Sequence, residues 1–177
     1  MHIFLTMKAW QLLMLMIAPA LLFALAYSGL DSFKWFGVLI LFWGIVFFAW
    51  VYSIGSSSNK ELMGGLRKDM MIYRLSFVIP IIYIILLAVV IFPSIQIDGQ
   101  PQKPTAWMTK LHLISMCCVF YSIWFTAKQF VTLQRGVAVK FIDYSVPFFL
   151  LCFTPIGIWF LQPSINELFD EENLDLV

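Results

Sequence analysis

Charged residues are scarce in this chain. Asp, Glu, Lys and Arg make up 12% of its 177 residues, whereas a soluble domain has about 25%. Apolar residues reach 62% and aromatic residues 18%, more than an aqueous core of this size can bury. These proportions exclude an ordinary soluble globule and a disordered chain. The net charge of +1 gives no field to attract nucleic acid, so we expect no nucleic-acid partner.

Residues that bind metals or act as nucleophiles are also few. The three cysteines, Cys117, Cys118 and Cys152, have no metal-ligand spacing, and cysteine in an apolar helix usually behaves as a small hydrophobic residue. The two histidines, His2 and His112, stand at different depths relative to the apolar runs, which disfavours a bis-histidine haem. We find no nucleophile–base set and no phosphate-binding loop. We therefore expect no cofactor, no metal and no enzymatic activity.

Long apolar runs are what the chain does have. A helix that crosses about 30 Å of hydrocarbon needs about 20 apolar residues. Five segments meet or approach this length, and they predict an all-α integral membrane protein that forms a single transmembrane domain. The predicted spans are 7–27, 33–54, 71–92, 108–127 and 141–161, followed by an acidic tail at 162–177.

The fifth segment is the least regular of these runs. It carries Asp143 near its start and Pro147 and Pro155 inside, and its strictly apolar part, Val146 to Leu161, has 16 residues. At about 1.5 Å per residue this part covers about 24 Å, less than the hydrocarbon thickness. Two architectures follow: a five-helix bundle with the bilayer thinned around the last helix, or four spans with a re-entrant or interfacial C-terminal segment.

The distribution of basic residues predicts the orientation. With the N-terminus in the cytoplasm, eight Lys and Arg residues fall on the cytoplasmic side and three outside, the bias that cytoplasmic loops show. If the fifth segment spans, the acidic tail lies outside. Most Trp and Tyr residues fall near span ends, and Trp43 sits in mid-span. The N-terminal run loosely imitates a signal peptide, but it is long and interrupted by Pro19, so we expect it to be retained as the first helix.

Asp143 is the acidic residue inside a predicted span, where an unpaired carboxylate is costly. Lys128, Arg135 and Lys140 are close enough in sequence to pair with it. A salt bridge that fixes the turn between the fourth and fifth helices is the simpler interpretation, and a proton or ion site is the alternative.

The prolines in the last segment predict a bend. Pro155 lacks the backbone N–H that a helix interior needs, and Gly157 follows it closely. Together they predict the sharpest helix kink in the chain.

Several stretches resemble a family of small uncharacterised polytopic inner-membrane proteins of Bacteroidota-type bacteria. The strongest is the run PIGIWFLQP from Pro155 to Pro163, followed by Ile165-Asn166, with Trp159, Gln162, Pro163 and Asn166 as its most distinctive residues. The weaker ones are Trp10-Gln11-Leu12, LHLISMCCVFYSIWFTAK from Leu111 to Lys128, and Asp143-Tyr144. The family pattern has Arg where Ser164 stands here. The resemblance implies a multi-pass protein of the bacterial inner membrane and implies no activity.

The sequence predicts two classes of function. The first is a non-enzymatic structural or accessory component that lies in the lipid bilayer and binds another membrane protein or forms a homo-oligomer. The second is a small transporter or an ion or proton pathway that uses Asp143 near the kinked fifth helix.

Overall fold

The computed structural model describes residues 3–26, 32–91 and 106–169, and the regular structure of these residues is entirely helical. This confirms the all-α class. The α-helices within them are α1 (Ile3–Thr6), α2 (Ala9–Ala26), α3 (Ser32–Glu61), α4 (Met71–Leu86), α5 (Ala106–Arg135), α6 (Phe141–Cys152) and α7 (Thr154–Phe169). Helix α4 continues as a π-helical turn, Leu87–Ile91, and the 3-10 turn Gly64–Leu66 connects α3 to α4.

Within the described residues, three helical segments are long and apolar enough to cross a membrane, by length and composition: Gly37–Glu61, Gly64–Val89 and Ala106–Arg135. Two shorter apolar helices are found at Ala9–Leu22 and Phe141–Cys152. Helix α5 continues well past 127, where we ended the fourth predicted span. The extension forms because Phe130 and Val131 are buried in the core and hold the helix beyond its apolar run.

Helices α3, α4 and α5 form a three-helix core joined by hydroxyl groups. Tyr73 of α4 is fully buried and donates its hydroxyl hydrogen to the carbonyl oxygen of Val51 at 2.9 Å, while its oxygen lies 2.9 Å from Oγ1 of Thr126. Gly55 leaves room for this contact, because a Cβ there would lie 2.3 Å from the Tyr73 hydroxyl oxygen. In a membrane, polar contacts and close packing hold helices together, since lipid removes the hydrophobic drive.

Helix α7 folds back against helix α6. Helix α6 ends at Phe153, whose φ of −99° and ψ of 59° leave the helical region. A Cβ on Gly157 would lie 1.8 Å from the carbonyl oxygen of Leu150. Seven residues of a straight helix span about 10 Å, so this close approach requires the start of α7 to fold onto the end of α6. We call this pair the C-terminal hairpin.

The contacts of the hairpin with the rest of the protein agree with this geometry. Tyr144, nine residues before Phe153, accepts a hydrogen bond from the indole N–H of Trp124 on α5. Gln162, nine residues after Phe153, accepts one from the indole N–H of Trp50 on α3. The hydroxyl contacts of the three-helix core join α5 and α3 next to these two tryptophans. Both limbs therefore reach the same height in the helical bundle.

The predicted fifth span is thus divided between two helices. Pro155 occupies the first turn of α7, where a backbone N–H has no helical partner, so it begins a helix instead of kinking one. Helix α7 then continues through Gln162 and Pro163 to Phe169, and the first part of the predicted tail is helical.

Candidate functional site

The predicted polar cluster forms around Asp143 in the first turn of α6. Nη1 of Arg135 donates to Oδ1 of Asp143, and the backbone N–H of Lys140 donates to Oδ2 at 2.8 Å. Lys140 therefore contributes its main chain. The carboxylate satisfies a free N–H at the helix start and complements the positive end of the helix dipole.

Lys128, the fourth predicted member, takes another partner. Its Nζ lies 5.1 Å from the centroid of the Trp124 ring, a cation–π contact. Trp124 in turn donates its N–H to Tyr144 at 2.8 Å. Lys128 thus supports the tryptophan that holds α6 to α5.

The cluster's electrostatics favour an ionised carboxylate. Asp143 stands before the apolar run of α6, at its exposed end, where the Lys140 N–H and then the Arg135 guanidinium lower the pKa of its carboxyl group below the ordinary value. A proton relay needs a group with a pKa near the working pH. The contacts of Asp143 therefore have a structural role: they hold the start of α6 to the end of α5. We call the Asp143–Arg135 ion pair the staple between α5 and α6.

Gln162, singled out within the PIGIWFLQP run, joins the two ends of the described chain. Its side chain is fully buried, and Oε1 accepts the Trp50 indole hydrogen bond at 2.8 Å. Its Nε2 lies 2.8 Å from the Phe4 carbonyl oxygen, 3.0 Å from that of Met7 and 2.9 Å from Oδ1 of Asn166. Nδ2 of Asn166 donates to the same Met7 carbonyl at 3.1 Å. The two side-chain amides therefore hydrogen-bond to carbonyl groups in and just after α1, and they hold α1 against α7 and α3.

Trp159 and Pro163, the other distinctive residues of that run, lie within one turn of Gln162 on α7 and outside its buried contacts. Both are exposed, and Trp159 has 57% of its surface free. The run therefore combines a buried amide, Gln162, with exposed side chains at Trp159 and Pro163. Spacing along the chain did not reveal this division.

A largely apolar cavity of about 410 Å³ lies between α3, α4, α5 and the tip of the hairpin. Trp43, Phe47, Phe48 and Phe120 supply aromatic walls, and Cys152 and Thr154 line it on either side of the hairpin tip. The volume falls within the range of small-molecule sites. Trp43 in mid-span was the sequence signal that could have located this cavity.

Three polar side chains line the cavity along α4 and α5. Nδ1 of His112 lies 2.9 Å from the Tyr83 hydroxyl oxygen. Ser115, three residues after His112, is 4% exposed, and its Oγ has no hydrogen-bond partner. A buried hydroxyl without a partner is unusual, since most such groups are satisfied. The sequence drew attention to His112 only as a possible haem ligand, and no spacing pattern pointed to Tyr83 or Ser115.

Metal ligands do not converge in the parts of the chain that the structure describes. No three His, Cys, Asp or Glu side chains within residues 3–26, 32–91 and 106–169 lie close enough to hold an ion. His2 lies outside these residues.

No protein-family model, curated protein sequence or solved structure matches this chain. The resemblance carried by PIGIWFLQP stays a prediction.

Proposed function

We propose that this protein is a non-enzymatic integral component of the bacterial inner membrane that binds another membrane protein through its C-terminal hairpin. The observation that best supports this proposal is the composition of the hairpin's exposed surface. Of the eight large apolar residues exposed between Phe141 and Phe160, five are aromatic, whereas none of the eight exposed between Met71 and Val89 is.

Exposed aromatic rings occur on both limbs. Phe149 and Phe153 follow the helical repeat at the end of α6, whereas the adjacent Trp159 and Phe160 point about 100° apart on α7. The exposed fractions of these four side chains lie between 54% and 66%. Trp159 suits a membrane interface, but phenylalanines near the tip of a hairpin have no headgroup to contact. Large rigid rings are enriched at protein interfaces, where they bury much area for little entropy.

The proposed topology has four spans and one re-entrant hairpin. Helix α2 has 18 residues, about 27 Å, and α3 and α5 have 30 residues, about 45 Å each. Helix α6 has 12 residues, about 18 Å, which suffices for roughly half the bilayer. With the N-terminus in the cytoplasm, the hairpin enters from the cytoplasmic side and α7 returns to it. Non-helical backbone at Phe153 is tolerated there because its polar groups are satisfied: its N–H donates to the Phe149 carbonyl, and its carbonyl accepts from the Gly157 N–H.

Copurification tests the partner. The tagged protein, extracted from its native membrane in mild detergent, should carry a stoichiometric membrane protein or a second copy of itself. A triple variant, Phe149→Leu with Phe153→Leu and Phe160→Leu, keeps the surface apolar but removes the rings, and should lose that partner. The matched control, Val78→Leu with Ile82→Leu and Ile85→Leu on α4, should keep it. A monomer in every extract, or equal loss from both variants, would contradict the proposal.

Reporter fusions test the topology separately. Alkaline phosphatase fused after Val177 should be inactive, because the proposed C-terminus stays in the cytoplasm. Fusion after Gly99 should be active, and fusion after Arg135 should be inactive. Activity at Val177 would instead favour a fifth span and an external tail.

The transport alternative lacks a supporting observation of this kind. Asp143 is engaged by Arg135 and the Lys140 N–H at the exposed end of α6, and it does not line the cavity. One stapled carboxylate provides no relay through the bundle.

A further inference from the structure

We propose that the cavity between the three-helix core and the hairpin tip binds a lipid-soluble molecule with a flat, carbonyl-bearing head, the chemistry of the membrane quinones. The inference goes beyond the proposed partner and does not depend on it. It rests on what the cavity offers: aromatic walls and two hydrogen-bond donors on one helix face, one of which is an unused buried hydroxyl.

The unused hydroxyl is the strongest indication of a polar occupant. Ser115 lines the cavity, is almost fully buried, and has an Oγ without a partner. Serine in a helix often bonds to the carbonyl four residues back, as Ser122 does with Cys118 at 3.0 Å. Ser115 does not, so its hydroxyl hydrogen remains available. A turn between staggered positions about χ1 is enough to aim it at an acceptor in the cavity.

The second donor is the His112 ring, prepared by Tyr83. When Tyr83 donates its hydroxyl hydrogen to Nδ1, the neutral ring carries its own hydrogen on Nε2. That N–H is then a donor at the cavity wall. His112 and Ser115 are three residues apart on α5, so their Cβ atoms are about 5–6 Å apart on one face. Two donors at this separation suit a head that presents more than one carbonyl oxygen.

The aromatic walls of the cavity favour a ligand that is flat and apolar. Trp43 stacks on Phe47 with ring centroids 5.4 Å apart and an angle of 3° between the planes, and both line the cavity with Phe120. Aromatic faces favour offset stacking against another ring. A plain acyl chain could fill the volume but would leave Ser115 and the His112 N–H unsatisfied, which disfavours it. The decisive measurement is therefore the affinity for a ligand with a carbonyl-bearing head compared with the affinity for a hydrocarbon of similar shape.

Binding is measured with decyl-ubiquinone on the purified full chain in phosphatidylcholine nanodiscs. Quenching of tryptophan fluorescence should saturate, and Trp43→Phe should remove most of the saturable part. Decylbenzene, which has a ring and the same chain but no carbonyl, should fail to compete at equal concentration. Ser115→Ala should weaken binding roughly 2- to 12-fold, the value of one hydrogen bond.

Two further variants keep the test decisive. Tyr83→Phe removes the donor that fixes the His112 ring and should weaken binding to a similar extent, even if Ser115→Ala fails to fold. Ser145→Ala is the control, because Ser145 bonds to the Ile142 carbonyl away from the cavity. Quenching that never saturates, equal competition by decylbenzene, or unchanged affinity in both cavity variants would each overturn the proposal.

Discussion

The three-helix core and the C-terminal hairpin are held together in different ways. In the core, Tyr73 packs its ring against Tyr52, Phe77 and Phe125 at centroid distances of 5.7, 5.0 and 4.4 Å, and its hydroxyl contact is backed by that of Thr126. In the hairpin, one buried amide and one glycine make the decisive contacts. Repeated contacts make the core tolerant of single losses, and the hairpin is vulnerable to them.

The largest expected effect comes from adding one methyl group at the hairpin. Gly157→Ala places Cβ against the Leu150 carbonyl, a backbone atom that cannot turn away, so the limbs must separate. We expect a loss of about 3 kcal/mol or more, measured as a lowered thermal midpoint in detergent.

Alanine substitutions at two other glycines provide a comparison for Gly157→Ala. Gly55→Ala meets the Tyr73 hydroxyl at 2.3 Å in the core, and Gly44→Ala meets only the end of the Ile84 side chain at 2.9 Å. We expect the loss to decrease from Gly157 to Gly55 to Gly44, since a flexible side chain yields most easily. An equal loss at Gly44 and Gly157 would remove the distinction between hairpin and core.

The next effect compares single polar groups in the two regions. Gln162→Leu leaves the Trp50 N–H and the Phe4 carbonyl without their amide partner, while the Met7 carbonyl keeps Asn166, and we expect a loss of about 2–3 kcal/mol. Tyr73→Phe should cost only about 1 kcal/mol, because Thr126 still donates to the Val51 carbonyl.

Thermal unfolding of both variants measures this difference, and proteolysis should show α1 released only in Gln162→Leu. If Tyr73→Phe proves the more damaging of the two, the core depends on its hydroxyl contact more than its ring packing implies.

The smallest effect concerns the staple between α5 and α6. The pKa of Asp143 is lower in the folded protein than in the unfolded chain, so its contribution is complete above the ordinary aspartate pKa of about 3.9 and is lost as pH falls through the folded value. Asp143→Asn should lower the thermal midpoint slightly at neutral pH, as expected for an exposed pair, and should match the wild type in strong acid. A difference that persists in acid would mean that the carboxylate's charge is not what holds the turn.

The sequence predicted the helical class well because apolar runs are a local property of the chain. It predicted a re-entrant C-terminal segment as only one of two alternatives, since the reversal at Phe153 depends on Gly157 lying against Leu150 and on Gln162 reaching Trp50, 112 positions away. Pro155 marked the right region, but a proline can kink a helix or begin one, and only the packing decides.

The sequence likewise predicted one part of the candidate site and not the other. The Asp143–Arg135 pair followed from nearness in sequence. The cavity did not, because Trp43, Tyr83 and His112 come from three helices and no spacing rule connects them.

The anchoring of α1 by Gln162 also dictates an order of assembly. The amide and the Phe4 carbonyl are separated by 158 positions, so the first turns emerge from the ribosome long before their partner is synthesised. Contacts this distant form late, so in the proposed topology α2 enters the bilayer before Gln162 can hold α1 in place.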